Sequence, residues 1–509
     1  MTVQKSKIGL VLVGLLLGIL MAAMDNTIVV TAMGTIVGDL GGLEHFVWVM
    51  SAYMITELAG MPIFGKLSDM YGRKRFFLFG ATVFMIGSAL CGTADTISQL
   101  SIYRGIQGIG AGALIPIAST ILFDIFPPES RGKIGGIFGT AFGLSSIFGP
   151  LVGAYLTDFV GWHWVFYINL PLGVIAFLLV VIFYKETKIH QKQSIDWWGA
   201  ITLVGAVVCL LFFLELGGQL YQWNSPVILG LSAGFIALFV LFLFAEKRAK
   251  EPIISFEMFK KRLFAGSNIL ALLYGGIFMA AVVYIPIFVQ GVYGGTATNS
   301  GLILLPMMLS SVVTAQVGGI LSMKVSYRNI MVLAGAILTA GFFLLSTLTP
   351  DTSRTLLTLY MVLVGLGVGF SFSVLSMAAI HHFDFNQRGA ATSTNNFIRN
   401  LGMTIGIAIF GIIQKHDFSG QMEKLTSQLG KFNADVDPNH ILSSAARSQL
   451  PEGLLSTITD ALASSIVNTF TWALIPAGCT LLIVFWMSNE RMEVNKDEVH
   501  AVQADKSFK

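Results

Sequence analysis

Charge is what this sequence has least of. Only 12% of its 509 residues are Asp, Glu, Lys or Arg, where soluble chains carry about a quarter. A chain this long cannot cover a water-facing surface with so little charge, and nothing in it forms a basic patch for nucleic acid. Cysteine is almost missing. Cys91, Cys209 and Cys479 lie in or beside apolar runs, which excludes a disulfide framework and a thiolate metal site. There is no nucleotide-binding loop, no H-E-x-x-H pair and no soluble catalytic domain. His381-His382 lacks ligand partners at helical spacing. No enzyme activity, cofactor or metal is therefore expected.

What the chain has instead is apolar length. It is 54% hydrophobic, with 54 glycines and a mean hydropathy of +0.75. Runs of about twenty apolar residues each cross a ~30 Å hydrocarbon core as a helix, and glycines let such helices approach closely. The runs lie near 8–37, 46–65, 76–94, 99–122, 134–157, 163–184, 197–217, 226–246, 264–290, 300–322, 330–348, 355–378, 389–412 and 465–488, which predicts fourteen spans. Lys5 and Lys7 before the first run mimic a signal peptide. The run is long, lacks a clear small-residue cleavage site and is expected to be retained. An even count puts both termini on one side. Of the 31 Lys and Arg residues, 24 fall on that side, five fall opposite (Arg354, Lys415, Lys424, Lys431, Arg447), and Arg104 and Arg399 lie within spans. The split predicts cytoplasmic termini.

The chain repeats itself. Gly108-Ile-Gly-Ala-Gly112 matches Gly365-Leu-Gly-Val-Gly369 at an offset of 257, as Arg131-Gly132 matches Arg388-Gly389 and Ser145-x3-Gly149 matches Gly402-x3-Gly406. Gly65-x-Leu-Ser68 matches Gly319-x-Leu-Ser322 at 254. The expected architecture is an all-α polytopic membrane protein. Two parallel six-helix halves (1–190 and 251–488) flank an inserted helix pair (191–250), followed by a cytoplasmic tail at 489–509. Residues 413–464 form the one long polar stretch, read as an external segment with some helix or hairpin. Transporters built from parallel repeats bind substrate between the halves near the midplane.

Asp25 sits inside the first apolar run, and an intramembrane acid defaults to a functional site. Glu57 lies at similar depth on the second span, and Arg104 begins the fourth a few residues shallower. Four residues of helix are about 6 Å, within reach of an arginine. Asp25, Glu57 and Arg104 are therefore expected to share one buried network for proton coupling. The structural alternatives remain open: Asp25 as a fixed partner of Arg104, Arg104 bound to backbone carbonyls, Glu57 as a tuner of substrate charge. Glu215, in the inserted pair, is expected to be peripheral. Gly65-Lys-Leu-Ser-Asp-Met-Tyr-Gly-Arg-Lys-Arg75 joins spans 2 and 3. Its glycines permit a tight connection, and Asp69, Arg73 and Asp124 are expected to form a charge network there. Small residues Ser145, Gly149 and Gly153 allow close packing of span 5, and Gly149-Pro150 favours a kink.

The Gly65–Arg75 string resembles the loop signature G-x-L-x-D-x-x-G-R-[KR]-[KR] of the major facilitator superfamily. Asp25-Asn-Thr-Ile-Val-Val, Arg104-Gly-Ile-Gln-Gly-Ile-Gly-Ala, Gly149-Pro150-Leu-Val-Gly153, Trp162-His-Trp-Val-Phe-Tyr-Ile-Asn-Leu-Pro171 and Asp196-Trp-x-Gly199 narrow the resemblance to its fourteen-spanner drug:proton antiporters. Ser145, Ala154 and His163 depart from the family pattern; the first two keep small size. The resemblance implies a major facilitator fold and proton-coupled export of hydrophobic, often cationic compounds across the plasma membrane by a monomer. A narrower exporter of tetracycline-like or lipid-like compounds is the alternative. It implies a gating latch at Gly65, Asp69, Gly72, Arg73 and Asp124, and an antiporter helix at Ser145, Gly149, Pro150 and Gly153. It further implies a cavity drawing on Asn26, Tyr53, Gln107, Tyr284, Gln290, Asn395, Asn396 and Arg399. An aromatic-lined cavity holding an acid suits lipophilic cations, and neutral compounds by burial alone.

Overall fold

The computed structural model describes residues 5–40, 47–126, 137, 141, 144–145, 148–153, 155–157, 159–186, 196–218, 221–249, 252–295, 297–429 and 452–492. The helices are α1 (Lys5–Leu40), α2 (Val47–Tyr71), α3 (Arg73–Cys91) and α4 (Ile97–Ile125). Then come α5 (Phe148–Thr157) and α6 (His163–Phe183). They are followed by α7 (Trp197–Leu216), α8 (Pro226–Arg248), α9 (Arg262–Gly291), α10 (Ala297–Leu321), α11 (Tyr327–Leu345), α12 (Arg354–Ile380), α13 (Phe385–Leu429) and α14 (Glu452–Ile483). Helix starts follow capping chemistry: the side chains of Thr96, Asp196, Ser225, Ser326 and Ser353 each accept from a backbone N–H in the first turn.

Twelve helices among the described residues are long and apolar enough to cross a membrane. The expected fourteen would add α2, which carries Glu57, Lys66 and Asp69, and α5, whose expected span at 134–157 lies largely outside the described residues. Only 11% of the most apolar window of α8 is buried, and Trp197, Trp198, Phe159 and Leu482 are exposed, while Asp25, Arg104 and Gln107 are buried. Apolar outside and ionic inside is the inverse of a soluble fold, and lipid is the solvent that fits it.

The internal repeat has a packing basis. The pairs α2–α4, α3–α4, α1–α6 and α3–α6 recur as α10–α12, α11–α12, α9–α14 and α11–α14. A Cβ on Gly108 or Gly112 would strike the α2 backbone, and one on Gly365 or Gly369 would strike α10. The middle glycines, Gly110 and Gly367, face α3 and α11 at backbone contact. The glycine pattern thus lets one helix in each half touch two neighbours. Likewise Gly149 and Gly153 abut Thr27 and Thr31 of α1, and Gly402 and Gly406 abut α9.

The two halves meet along α2 and α13. The inserted pair α7–α8 lies over that seam. Ala200, Leu203, Val207 and Leu211 of α7 share one apolar cluster with Ile55, Leu58 and Met61 of α2 and Phe397 of α13. The 45 residues of α13 extend about 67 Å, far beyond a ~30 Å core. The polar stretch expected at 413–464 therefore begins as a continuation of α13. Residues 430–451 and the tail beyond 492 lie outside the described residues.

Candidate functional site

Asp25 is fully buried, and four helices converge on it. Arg104 of α4 forms a salt bridge to its Oδ2. Gln107 Nε2, one turn along α4, donates to Oδ1 at 2.9 Å, as does Asn169 Nδ2 of α6, also at 2.9 Å. Ser88 of α3 accepts from both amides, at 2.7 Å from Gln107 and 3.0 Å from Asn169. Arg104 also donates to Gln107 Oε1 at 2.8 Å and lies 4.0 Å over the Tyr53 ring.

Glu57 is held differently. It is 5% exposed, and it accepts a long hydrogen bond, 3.4 Å, from Asn26 Nδ2. Both Asp25 and Arg104 act on it electrostatically. The expected trio therefore shares one site, with two acids against one arginine. Among the described residues, Asn26 Oδ1, Arg104 Nη2 and Asn169 Oδ1 are buried without a protein hydrogen-bond partner. The residues expected to form the antiporter helix pack beside this site: Ser145 Oγ donates to Leu20 O at 3.3 Å, and Thr27 Oγ1 donates to Ser145 O at 3.3 Å. Pro150 lies in α5, on the same short helix as Gly149 and Gly153.

Sequence reasoning misplaces two residues and misses two. Tyr53 and Gln107, expected in the cavity, are fully buried around Asp25 instead. Ser88 and Asn169 escape the sequence reading. Asn169 stands inside the string Trp162–Pro171, the one available signal for it. Ser88 has no sequence signal.

A cavity of about 1210 Å³ lies between α2, α7, α9 and α13. Ser51, Met54 and Ile55 line it from α2, Tyr284 from α9, and Thr404 and Ile407 from α13. Glu215, expected to be peripheral, lines it too. Of the expected cavity residues, Tyr284 is on this wall. Gln290 pairs with Ser300 at 3.2 Å. Arg399 forms a second polar cluster, donating to Ser371 O and Ser376 Oγ, both at 3.3 Å, and to Asn395 Oδ1 at 3.4 Å, with Phe372 at 5.3 Å. Asn395 also donates to Asn268 at 3.3 Å, and Asn396 is buried nearby in sequence with its Nδ2 unmatched. No carboxylate among the described residues bridges Arg399.

At the opposite end of α2 the halves are tied shut. Asp69 accepts from the backbone N–H of Gly389 at 3.2 Å and Ala390 at 2.8 Å, across the seam at the start of α13. Arg73 bonds Asp69 at 2.9 Å and forms a salt bridge to Asp124; Arg388 reaches Asp124 at 3.5 Å. Gly72 has φ 110°, a conformation that favours glycine, and Gly65 abuts Ser393 closely enough that no Cβ fits. Burial raises the Asp69 carboxyl above its ordinary value, with Arg73 and the two amides pulling the other way. His381 and His382, without partners in the sequence reading, meet Glu490 from the chain's far end, at 3.5 and 2.7 Å.

The family model described as Major Facilitator Superfamily matches residues 15–197 and again 190–407. The chain is 52% identical over 502 residues to Multidrug resistance protein 3 of Bacillus subtilis (strain 168), covering 97% of this chain and 98% of that one. It is 34% identical to Multidrug transporter protein MdtP of the same organism, covering 99% and 98%. Among solved structures it resembles the human organic anion transporter MFSD10 (TM-score 0.61, 15% identity, 93% and 100% covered). It also resembles the proton:xylose symporter XylE (0.59, 13%, 96% and 98%). At these identities the two structures speak for the fold alone.

Proposed function

This chain belongs to the Major Facilitator Superfamily, and from that membership we propose that it is a proton-coupled secondary antiporter exporting lipophilic, often cationic drugs across the plasma membrane. The names of its relatives, a multidrug resistance protein and a multidrug transporter, support drug export. Support for proton coupling comes from one observation: Asp25 of α1 is a wholly buried carboxylate bonded from α4 and α6, with Ser88 of α3 holding the two amides that reach it. Protonating Asp25 removes its attraction to Arg104 and weakens the ties that join α1 to α4 and α6. Protonating Glu57 releases a single bond to α1. Asp25 is therefore the acid whose charge the fold reads, and Glu57 adds a second negative charge that tunes substrate preference.

A buried carboxylate binds a proton more readily than one in water, and a cation entering nearby favours the ionised form. Proton and substrate compete, which yields exchange. With both termini cytoplasmic, the Asp69–Arg73–Asp124–Arg388 ties close the cytoplasmic end, and the cavity lies about 21 Å away along α2, from Gly65 to Ser51. That arrangement fits an outward-facing stage of alternating access.

The test is transport by purified protein in sealed vesicles with an imposed pH gradient. Wild type should drive a lipophilic cation against its gradient, and Asp25→Asn should lower that rate at least tenfold. Unchanged uptake in the variant would remove Asp25 from coupling. A tag near residue 440 should be reached from outside and one at residue 5 should not; the reverse pattern would overturn the orientation.

A further inference from the structure

We propose that the inserted pair α7–α8 builds part of the substrate site, with Glu215 as the counter-ion for monovalent lipophilic cations. The inference rests on the export reading above. Glu215 lies in the last turn of α7 and faces the 1210 Å³ cavity. Its carboxyl bonds the hydroxyl of Ser51 on α2, and among the described residues no salt bridge neutralises it. The other ionic residues on the wall, Lys415, His416 and Glu423, are exposed at the mouth, where water screens them. Among the described residues, Glu215 is therefore the one acid on the wall that is not exposed.

The wall around it is built. Trp223 packs edge-on against Phe213 at 5.4 Å and covers Gly217 and Gly218, the latter at φ 74°. Lys415 Nζ of α13 donates to Gly218 O at 2.9 Å, which ties the α7–α8 loop to the far half. Trp48 of α2 meets Phe212 of α7 at 4.8 Å. Below, the apolar cluster joining α7, α2 and α13 forms a dry floor. Tyr221, Trp223 and Tyr284 put aromatic rings on its wall, where an organic cation can meet them. The cavity thus combines apolar walls, three aromatic residues and a single recessed negative charge among the described residues, which is the chemistry of a large monovalent organic cation rather than an anion or sugar. The inserted pair has a role beyond covering the seam.

The probes are tetraphenylphosphonium and the uncharged triphenylphosphine oxide, each measured by equilibrium binding to the purified full-length protein. Glu215→Gln should weaken tetraphenylphosphonium binding about tenfold and leave the neutral probe within about twofold. Glu215→Asp should restore most of the loss. Ser51→Ala, which keeps the charge, should cost no more than about twofold. Cation binding unchanged in Glu215→Gln would overturn the proposal, and so would equal weakening of both probes. Should wild type export nothing down a pH gradient, the antiport reading falls while the binding result still decides the role of Glu215.

Discussion

Asp69 shows how a residue acquires a pH response from its surroundings. Three groups favour its carboxylate: Arg73 and the N–H groups of Gly389 and Ala390. Desolvation outweighs them, so its pKa is raised while the latch is closed. If opening returns Asp69 to water, the closed state binds the proton more tightly. By linkage, closure is then favoured as pH falls and weakened as pH rises through the raised value. Spin labels on exposed Arg75 and Asp384, one on each side of the latch, should show the short-distance population growing on acidification. In Asp69→Asn the part of the response that follows the raised Asp69 value should be lost; an identical pH response in that variant would assign it to another group. Asp25, Glu57 and Arg104 stood out in the sequence because charge in an apolar run is conspicuous, and Asp69 and Arg73 because they stand in the string Gly65–Arg75; Arg388, which reaches Asp124, was not read with them. Tyr53 and Gln107 were misplaced because sequence gives depth along a helix but not which side chains a neighbouring helix shields. Ser88 was invisible because a serine in a membrane helix normally bonds its own backbone, as Ser101 and Ser119 do here.

At the scale of helices, glycine position separates packing from spacing. A methyl on Gly110 would press into the backbone of α3 at Phe84, and one on Gly367 into that of α11 at Leu338. Gly230, Gly301 and Gly478 have nothing within 4 Å of such a methyl. Overpacking costs about 1–3 kcal/mol. Gly110→Ala and Gly367→Ala should each lower the unfolding temperature of the detergent-purified protein by several degrees, and Gly230→Ala and Gly478→Ala should leave it unchanged. A similar drop in all four would refute the packing account of the repeat. The pattern was visible in the sequence because two helices solve the same problem of touching two neighbours. The reach of α13 was not: its apolar signal ends near residue 412, while backbone hydrogen bonding carries the helix through polar residues to 429.

For the whole molecule, the all-helical membrane fold was legible because it is written in hydropathy, and the matching glycines of α4 and α12 because both helices use them in the same contacts. The position of the inserted pair over the α2–α13 seam was not written anywhere in the sequence, since contacts between distant helices leave no periodicity. The pair spans the seam between two halves that are joined by Asp69 at one end and part around a cavity at the other. In such a body, we propose, one buried carboxylate of α1 bonded from α4 and α6 converts a proton's arrival into movement of the halves. Substrate-induced proton release from purified protein in weak buffer tests that claim most directly. Wild type should release protons when a lipophilic cation is added, Glu57→Gln should retain most of that release, and Asp25→Asn should show none. Equal release from wild type and Asp25→Asn would contradict the account and move the exchangeable proton to another group.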